Sequence, residues 1–350
     1  VDRWSRFWFT PQPATALGLV RIGYGLVMIG WAFSLLPDLL TFFGTRSVQP
    51  GPPTIQYTWG LLHVWRSDPA VWTVWGLLLA SAVALTVGWH SRLAALLLFA
   101  CVLSVERREP YIFNSGDGLL RIEALYLVLA PAGAALSLDR RRTAGSFWRV
   151  QSRAPWVLRL MQIQLSVVYL STVHDKLTGI TWNNGTAVSY ALRLLDLRNL
   201  GAPQWLVMNP LLMNLAAWVT LGLEISLGVL VWNRRWRLRV LAVGVVLHLV
   251  ILVALAVGFF SFSMFVLYLA FLPPEVAGRW AERVRRRLGG RRQQPHRPAD
   301  PGGSRPGGSS VREPPGQPQP GQPQSGQPQP GQPQPGQPQP GQPQPGVAAR

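Results

Sequence analysis

Cysteine is almost missing from the 350-residue sequence: Cys101 is the only one. An intramolecular disulfide and a cysteine-based metal cluster are therefore excluded, and no metal site is expected. The apolar surroundings of Cys101, LLLFACVLSV, mark it as a small buried hydrophobe. Charged residues are scarce, at 14%, and unbalanced, giving a formal net charge of +18. Lysine is scarcer still: Lys176 is the one lysine among 33 basic residues, and the rest are arginine. No Gly-rich phosphate loop, H-E-x-x-H or G-x-S-x-G motif occurs, so ATP-driven transport and metalloprotease chemistry have no motif support. Nor does the charge point to nucleic acid, because the arginines flank apolar runs.

What is plentiful is apolar sequence, 48% hydrophobic overall and concentrated between about 17 and 272. Eight apolar segments can be drawn, at 17–40, 70–88, 92–107, 119–137, 156–174, 211–232, 238–257 and 259–273. Several match the roughly 20 residues a helix needs to cross about 30 Å of hydrocarbon. The expected fold is all-α: a polytopic helical membrane protein with about eight transmembrane helices, its partner the lipid bilayer. Pro37-Asp38 offers no A-x-A-like cleavage site, so the first segment reads as a span rather than a cleaved leader.

The arginines orient these spans. They cluster at 138–155 (Arg140, Arg141, Arg142, Arg149, Arg153), at 233–239 (Arg234, Arg235, Arg237, Arg239) and after 278. Cytoplasmic loops carry the excess of basic residues, and eight spans put all three clusters on that side. The expectation is a multi-pass plasma-membrane protein with cytoplasmic N- and C-termini. Outer loops then fall at 41–69, 108–118 and 175–210, with a tight turn near 258. Residues 1–278 form the membrane domain, and 279–292 a basic segment suited to an anionic inner leaflet. Residues 293–350 are a Pro/Gly/Gln-rich tail, in which GQPQP recurs six times from Gly316 to Pro345 with one change, at Ser325. With no apolar residue in the repeat, it is expected to be disordered, with polyproline II bias.

Three polar clusters interrupt the apolar background. The first is Asn114-Ser115-Gly116-Asp117-Gly118, ahead of LLRIEALYLVLAP. Ser115 or Asp117 suits a helix cap, and Asp117 lies four residues from Arg121, a spacing that permits pairing. The second is Tyr169, His174, Asp175 and Lys176, followed by Trp182-Asn183-Asn184-Gly185. Aromatic anchoring and a snorkelling lysine explain it without function. Against that, a cation is disfavoured at an outer span end, and only an amine can be made neutral enough to act as a base. The third is intramembrane. Glu224 precedes the 233–239 loop, and His248 follows it, by nine residues each. Both then sit roughly 14 Å deep on adjacent antiparallel helices, where they can pair, either as a structural bond or as the lining of a pocket or proton path.

In sum, these pieces resemble the horizontally transferred transmembrane (HTTM) domain, related to the membrane part of vitamin K-dependent γ-glutamyl carboxylase. The resemblance covers about residues 10–273 and rests on ALGLVRIGYGLVMI, RREPYIFNSGDGLLRIEALYLVLAP, QIQLSVVYLSTVHDKLTGITWNNGTAVSY and LHLVILVALAVGFFSFSMFVLYLAFLP. Its most specific element is K-L-x(4)-W-x-x-G, here Lys176, Leu177, Trp182 and Gly185; next is His248 followed by Gly258-Phe259. The resemblance implies that Lys176 is a base acting on a quinol such as menaquinol, with O2 as co-substrate. It implies His248 as a second catalytic group and a substrate pocket built from Asn114, Asp117, His174, Trp182 and Glu224. Three departures bear against peptide carboxylation: Asp175 replaces a second lysine, the 112–118 loop has no histidine, and the GQPQP tail stands where the carboxylase has a large lumenal region. What remains is an outward-facing pocket for a quinol or other lipid-soluble molecule. Two readings stay open beside it: a non-catalytic membrane scaffold or accessory protein, and a proton-coupled small-molecule transporter.

Overall fold

The computed structural model describes residues 2–48 and 59–289. The GQPQP repeats, with the rest of the 293–350 tail and residues 290–292 of the basic segment, lie outside the described residues. Each of the eight apolar segments contains a helix: α1 Thr15–Leu35, α2 Asp68–Val87, α3 Ser91–Arg108, α4 Ser115–Leu129, α5 Trp156–Thr178, α6 Pro210–Val229, α7 Arg237–Ala254 and α8 Phe260–Leu269. A ninth, α9, runs over Pro274–Gly289.

Five of these regions are long and apolar enough to cross a membrane: Thr15–Phe43, Asp68–Val87, Trp156–Thr178, Pro210–Trp232 and Arg237–Ala254. Physical reasons separate the other three from them. α3 carries Arg92, Glu106, Arg107 and Arg108, and α4 is only 15 residues long. α8 has 10 residues and bends by 102° into α9, giving a sixth span if the bent pair counts as one. Apart from helix, Gln12–Pro13 pairs antiparallel with Ser152–Arg153.

Capping sets several boundaries. Ser67 accepts the Ala70 N–H at the start of α2, and the Asn209 Oδ1 accepts that of Leu212 at 3.1 Å at the start of α6. α1 threads the core: Tyr24 and Met28 have no exposed surface, and Trp31 is buried beside them. It also carries Arg21, fully buried, whose guanidinium donates to the carbonyls of Leu85, Thr86 and Leu136. Two of those carbonyls belong to the last turn of α2, the negative end of its dipole. Gly88 then leaves α2 at φ +73, and a Cβ there would stand 2.5 Å from an Arg21 nitrogen. The neighbouring α5, α6, α7 and α8 frame the polar site, with α5 against α6 and α7 against α8.

Candidate functional site

A cavity of about 360 Å³ opens between α5, α6 and α7, beside the start of α8. Most of its wall is aliphatic, from residues such as Val168, Ala191, Leu247 and Ile251. Helical spacing explains its polar side. Tyr169, Thr172 and Lys176 recur at i, i+3 and i+7 along α5, so one stripe of that helix faces the cavity. Thr220 and Glu224, four apart, do the same on α6.

The chain's one lysine forms an ion pair with Glu224 across this wall. Glu224 is 8% exposed at its side chain and Lys176 21%. The second carboxylate oxygen of Glu224, Oε2, is buried without a hydrogen-bond partner among the described residues. Trp182 covers the ammonium, its ring centroid 4.7 Å from Nζ. Local backbone brings that indole back. α5 stops at Thr178, a short turn over Ile180–Asn183 follows, and Gly185 adopts φ +75. A Cβ at Gly185 would lie 1.6 Å from Asn214 Oδ1 and 3.0 Å from the Asn214 Cα, so only glycine lets this turn lie against α6. The spacing from Lys176 to Trp182 to Gly185 is thus a cation, its cover and the hinge that seats the cover.

Below Lys176 runs a row of hydrogen bonds. Tyr169 Oη lies 2.9 Å from His248 Nε2 and also bonds Tyr268 Oη, while His248 Nδ1 lies 3.3 Å from Ser261 Oγ. A neutral imidazole protonated on Nδ1 satisfies every bond: Tyr268 donates to Tyr169, Tyr169 to Nε2, and Nδ1–H to Ser261. Gly244 makes room for this row, because a Cβ there would come 2.6 Å from Tyr268 Oη. Phe260, Phe265 and Tyr268 surround the imidazole with ring centroids 5.6, 6.0 and 6.0 Å away.

Lys176, Trp182, Glu224 and His248 therefore share one cavity. The expected Glu224–His248 pair does not form: Glu224 takes Lys176, and His248 takes Tyr169 and Ser261. Depth alone does not fix which way a side chain points around its helix, and the four-carbon lysine stem reaches Glu224 from the end of α5. His174 is exposed and off the cavity wall. Asn114 and Asp117 also lie elsewhere, in a capping box at the start of α4: Asn114 Oδ1 accepts from the Gly116 N–H at 2.7 Å, and Asp117 Oδ2 from the Asn114 N–H at 2.8 Å. The cap is Asn114 rather than Ser115. The expected Asp117–Arg121 pair is replaced too. Asp117 accepts from Trp31 Nε1 at 2.8 Å, and Arg121 pairs with Glu106. Tyr268, Ser261 and the buried Glu123, which accepts from Ser263 at 2.8 Å, were not singled out in the sequence. The signal was there for two of them: Ser261 and Tyr268 stand seven apart in an apolar run, hence on one helix face.

No curated protein and no solved structure matches the chain. The family model described as HTTM domain matches residues 9–276, which takes in every helix from α1 to α8. With most of its length matched and several helices apolar enough to cross a bilayer, this chain belongs to the HTTM domain family of multi-pass membrane proteins.

Proposed function

We propose that the cavity between α5, α6 and α7 holds a lipid-soluble molecule with an acidic hydroxyl, a quinol above all, and that Lys176 and Glu224 take up its proton. One observation carries this reading: the only lysine of the chain meets a buried carboxylate on the wall of a mostly aliphatic cavity. Aliphatic walls suit a ring and prenyl-like tail, and Glu224 Oε2 is left free to accept a hydrogen bond. The proton accounting closes. Lys176 passes a proton to Glu224, and the resulting amine takes one from the substrate hydroxyl. An ammonium then faces the new oxyanion, and the carboxyl has become the acid. A deprotonated quinol is the form that O2 oxidises, so a carboxylase-like quinol oxygenation is the activity this chemistry supports. Under the orientation read from the arginines, the cavity opens outward.

The test is turnover of a naphthoquinol under O2 by purified protein and by Lys176→Arg, whose guanidinium keeps the charge and cannot become a base. Loss of about a hundredfold or more is expected; equal turnover overturns the reading. The row from Ser261 through His248 and Tyr169 to Tyr268 favours a second reading, proton-coupled transport of a small molecule. Transport in proteoliposomes that survives Glu224→Gln together with His248→Ala would remove it.

A further inference from the structure

A second cavity, of about 520 Å³, lies at the other end of α5, under the bend between α8 and α9. Arg159 of α5, Arg234 of the loop before α7 and Arg237, the first residue of α7, all line it. Among the described residues none of the three forms an ion pair. Like charges gathered in one partly buried space repel one another unless an anion sits between them. Two of the guanidiniums, those of Arg159 and Arg237, are also held in place. Arg159 donates to the Phe7 carbonyl at 3.3 Å and to Gln162 Oε1 at 2.8 Å, and lies 4.6 Å from the Phe7 ring centroid. Gln162 is itself buried and fixed by a 2.7 Å bond to the Ala270 carbonyl. Arg237 donates through Nε to the Val231 carbonyl at 3.0 Å and through Nη2 to that of Trp232 at 3.4 Å. Among the described residues, those bonds leave Nη2 of Arg159, Nη1 of Arg237 and the whole Arg234 guanidinium without hydrogen-bond partners. Glu275 is the one carboxylate on the wall, against three cations.

We infer that this cavity is a binding site for a phosphate-bearing anion, held by Arg159, Arg234 and Arg237. Guanidinium N–H groups fit phosphate oxygens, and fixing two of the three guanidiniums beforehand lowers the entropic cost of binding. A phospholipid headgroup is the source that the surroundings favour: α9, rich in arginine, begins at the cavity wall and continues as a basic face. A soluble phosphate would use the same contacts.

Full-length protein in neutral detergent separates these outcomes. Dioctanoyl phosphatidylglycerol, dioctanoyl phosphatidylcholine and inorganic phosphate would be titrated at constant ionic strength against the wild type, Arg159→Gln, Arg237→Gln and Arg234→Gln. Arg141→Gln, an exposed arginine away from the cavity, is the charge-matched control. Removing one guanidinium is expected to weaken phosphatidylglycerol binding about tenfold, with the control unchanged. Arginine-dependent binding of phosphatidylglycerol alone assigns the lipid source. The same dependence for inorganic phosphate assigns the soluble one. Arg234 is exposed, so its variant keeps the test available if the other two fail to fold. Binding that is equal in all variants, or lost equally in Arg141→Gln, overturns the inference.

Discussion

Glu224→Gln should reveal how strongly the Lys176–Glu224 pair ties α5 to α6. The substitution keeps the shape of the side chain and removes its charge, leaving an ammonium without its counter-ion. Breaking a fully buried ion pair from one side costs roughly 3–5 kcal/mol. Lys176 keeps 21% of its side chain exposed, and the Trp182 ring still covers Nζ, so the loss here should be nearer ~2 kcal/mol. Lys176→Met should lose about as much, because it strands a carboxylate only 8% exposed. The double variant strands no charge. Its loss should fall well short of the sum, leaving a coupling energy of about 2 kcal/mol. Unfolding by SDS in mixed micelles measures all three against the wild type. Two single losses under about 0.5 kcal/mol that simply add would refute the pairing as a structural tie.

Three further predictions concern the frame around the site. Trp31→Phe deletes the 2.8 Å bond to Asp117 inside the core, and should lower stability by about 1–3 kcal/mol in the same SDS titration. Gly88→Ala should be as damaging or worse, since a Cβ at φ +73 strains the backbone and meets Arg21, and Gly76→Ala, where a Cβ meets nothing, is its control. Asp139, in the short helix Leu138–Ala144 between α4 and α5, gives a pH signature outside the spans: burial pushes its carboxyl up, but bonds from the Ser91 N–H and hydroxyl and the His90 N–H outweigh that and hold it below its usual 3.8. The folded protein therefore gains stability above pH 3.8 and loses it as the pH falls below. Asp139→Asn should be less stable at neutral pH and show a flatter acid limb in thermal melts from pH 7 to 3; an unchanged acid limb would contradict this.

Much of the architecture was legible in the chain because apolar run length is read along one dimension. Each of the eight segments contains a helix, and Pro210 behind Asn209 marks the start of α6 as capping chemistry requires. The site was partly legible for the same reason: Lys176, Trp182, Glu224 and His248 stand out as polar residues in apolar surroundings. Partner choice was not legible, because it depends on the rotation of each helix about its axis. Asp117 turns toward Trp31, 86 positions earlier in the chain, rather than toward Arg121 one turn away. Tyr268 likewise looks like an ordinary apolar-span tyrosine until α5 and α8 bring its hydroxyl onto that of Tyr169, which in turn bonds His248.

Occupancy of the α5–α7 cavity by a lipid-soluble molecule with an acidic hydroxyl can be read from what co-purifies with the protein. Mass spectrometry of lipid extracts tests it most directly, comparing protein purified from its own membrane with Ala191→Trp, which fills the cavity from its wall. A quinol-class compound should be enriched over the bulk membrane in the wild type and depleted in the variant. The same lipid complement in both, with no such compound enriched, would contradict it.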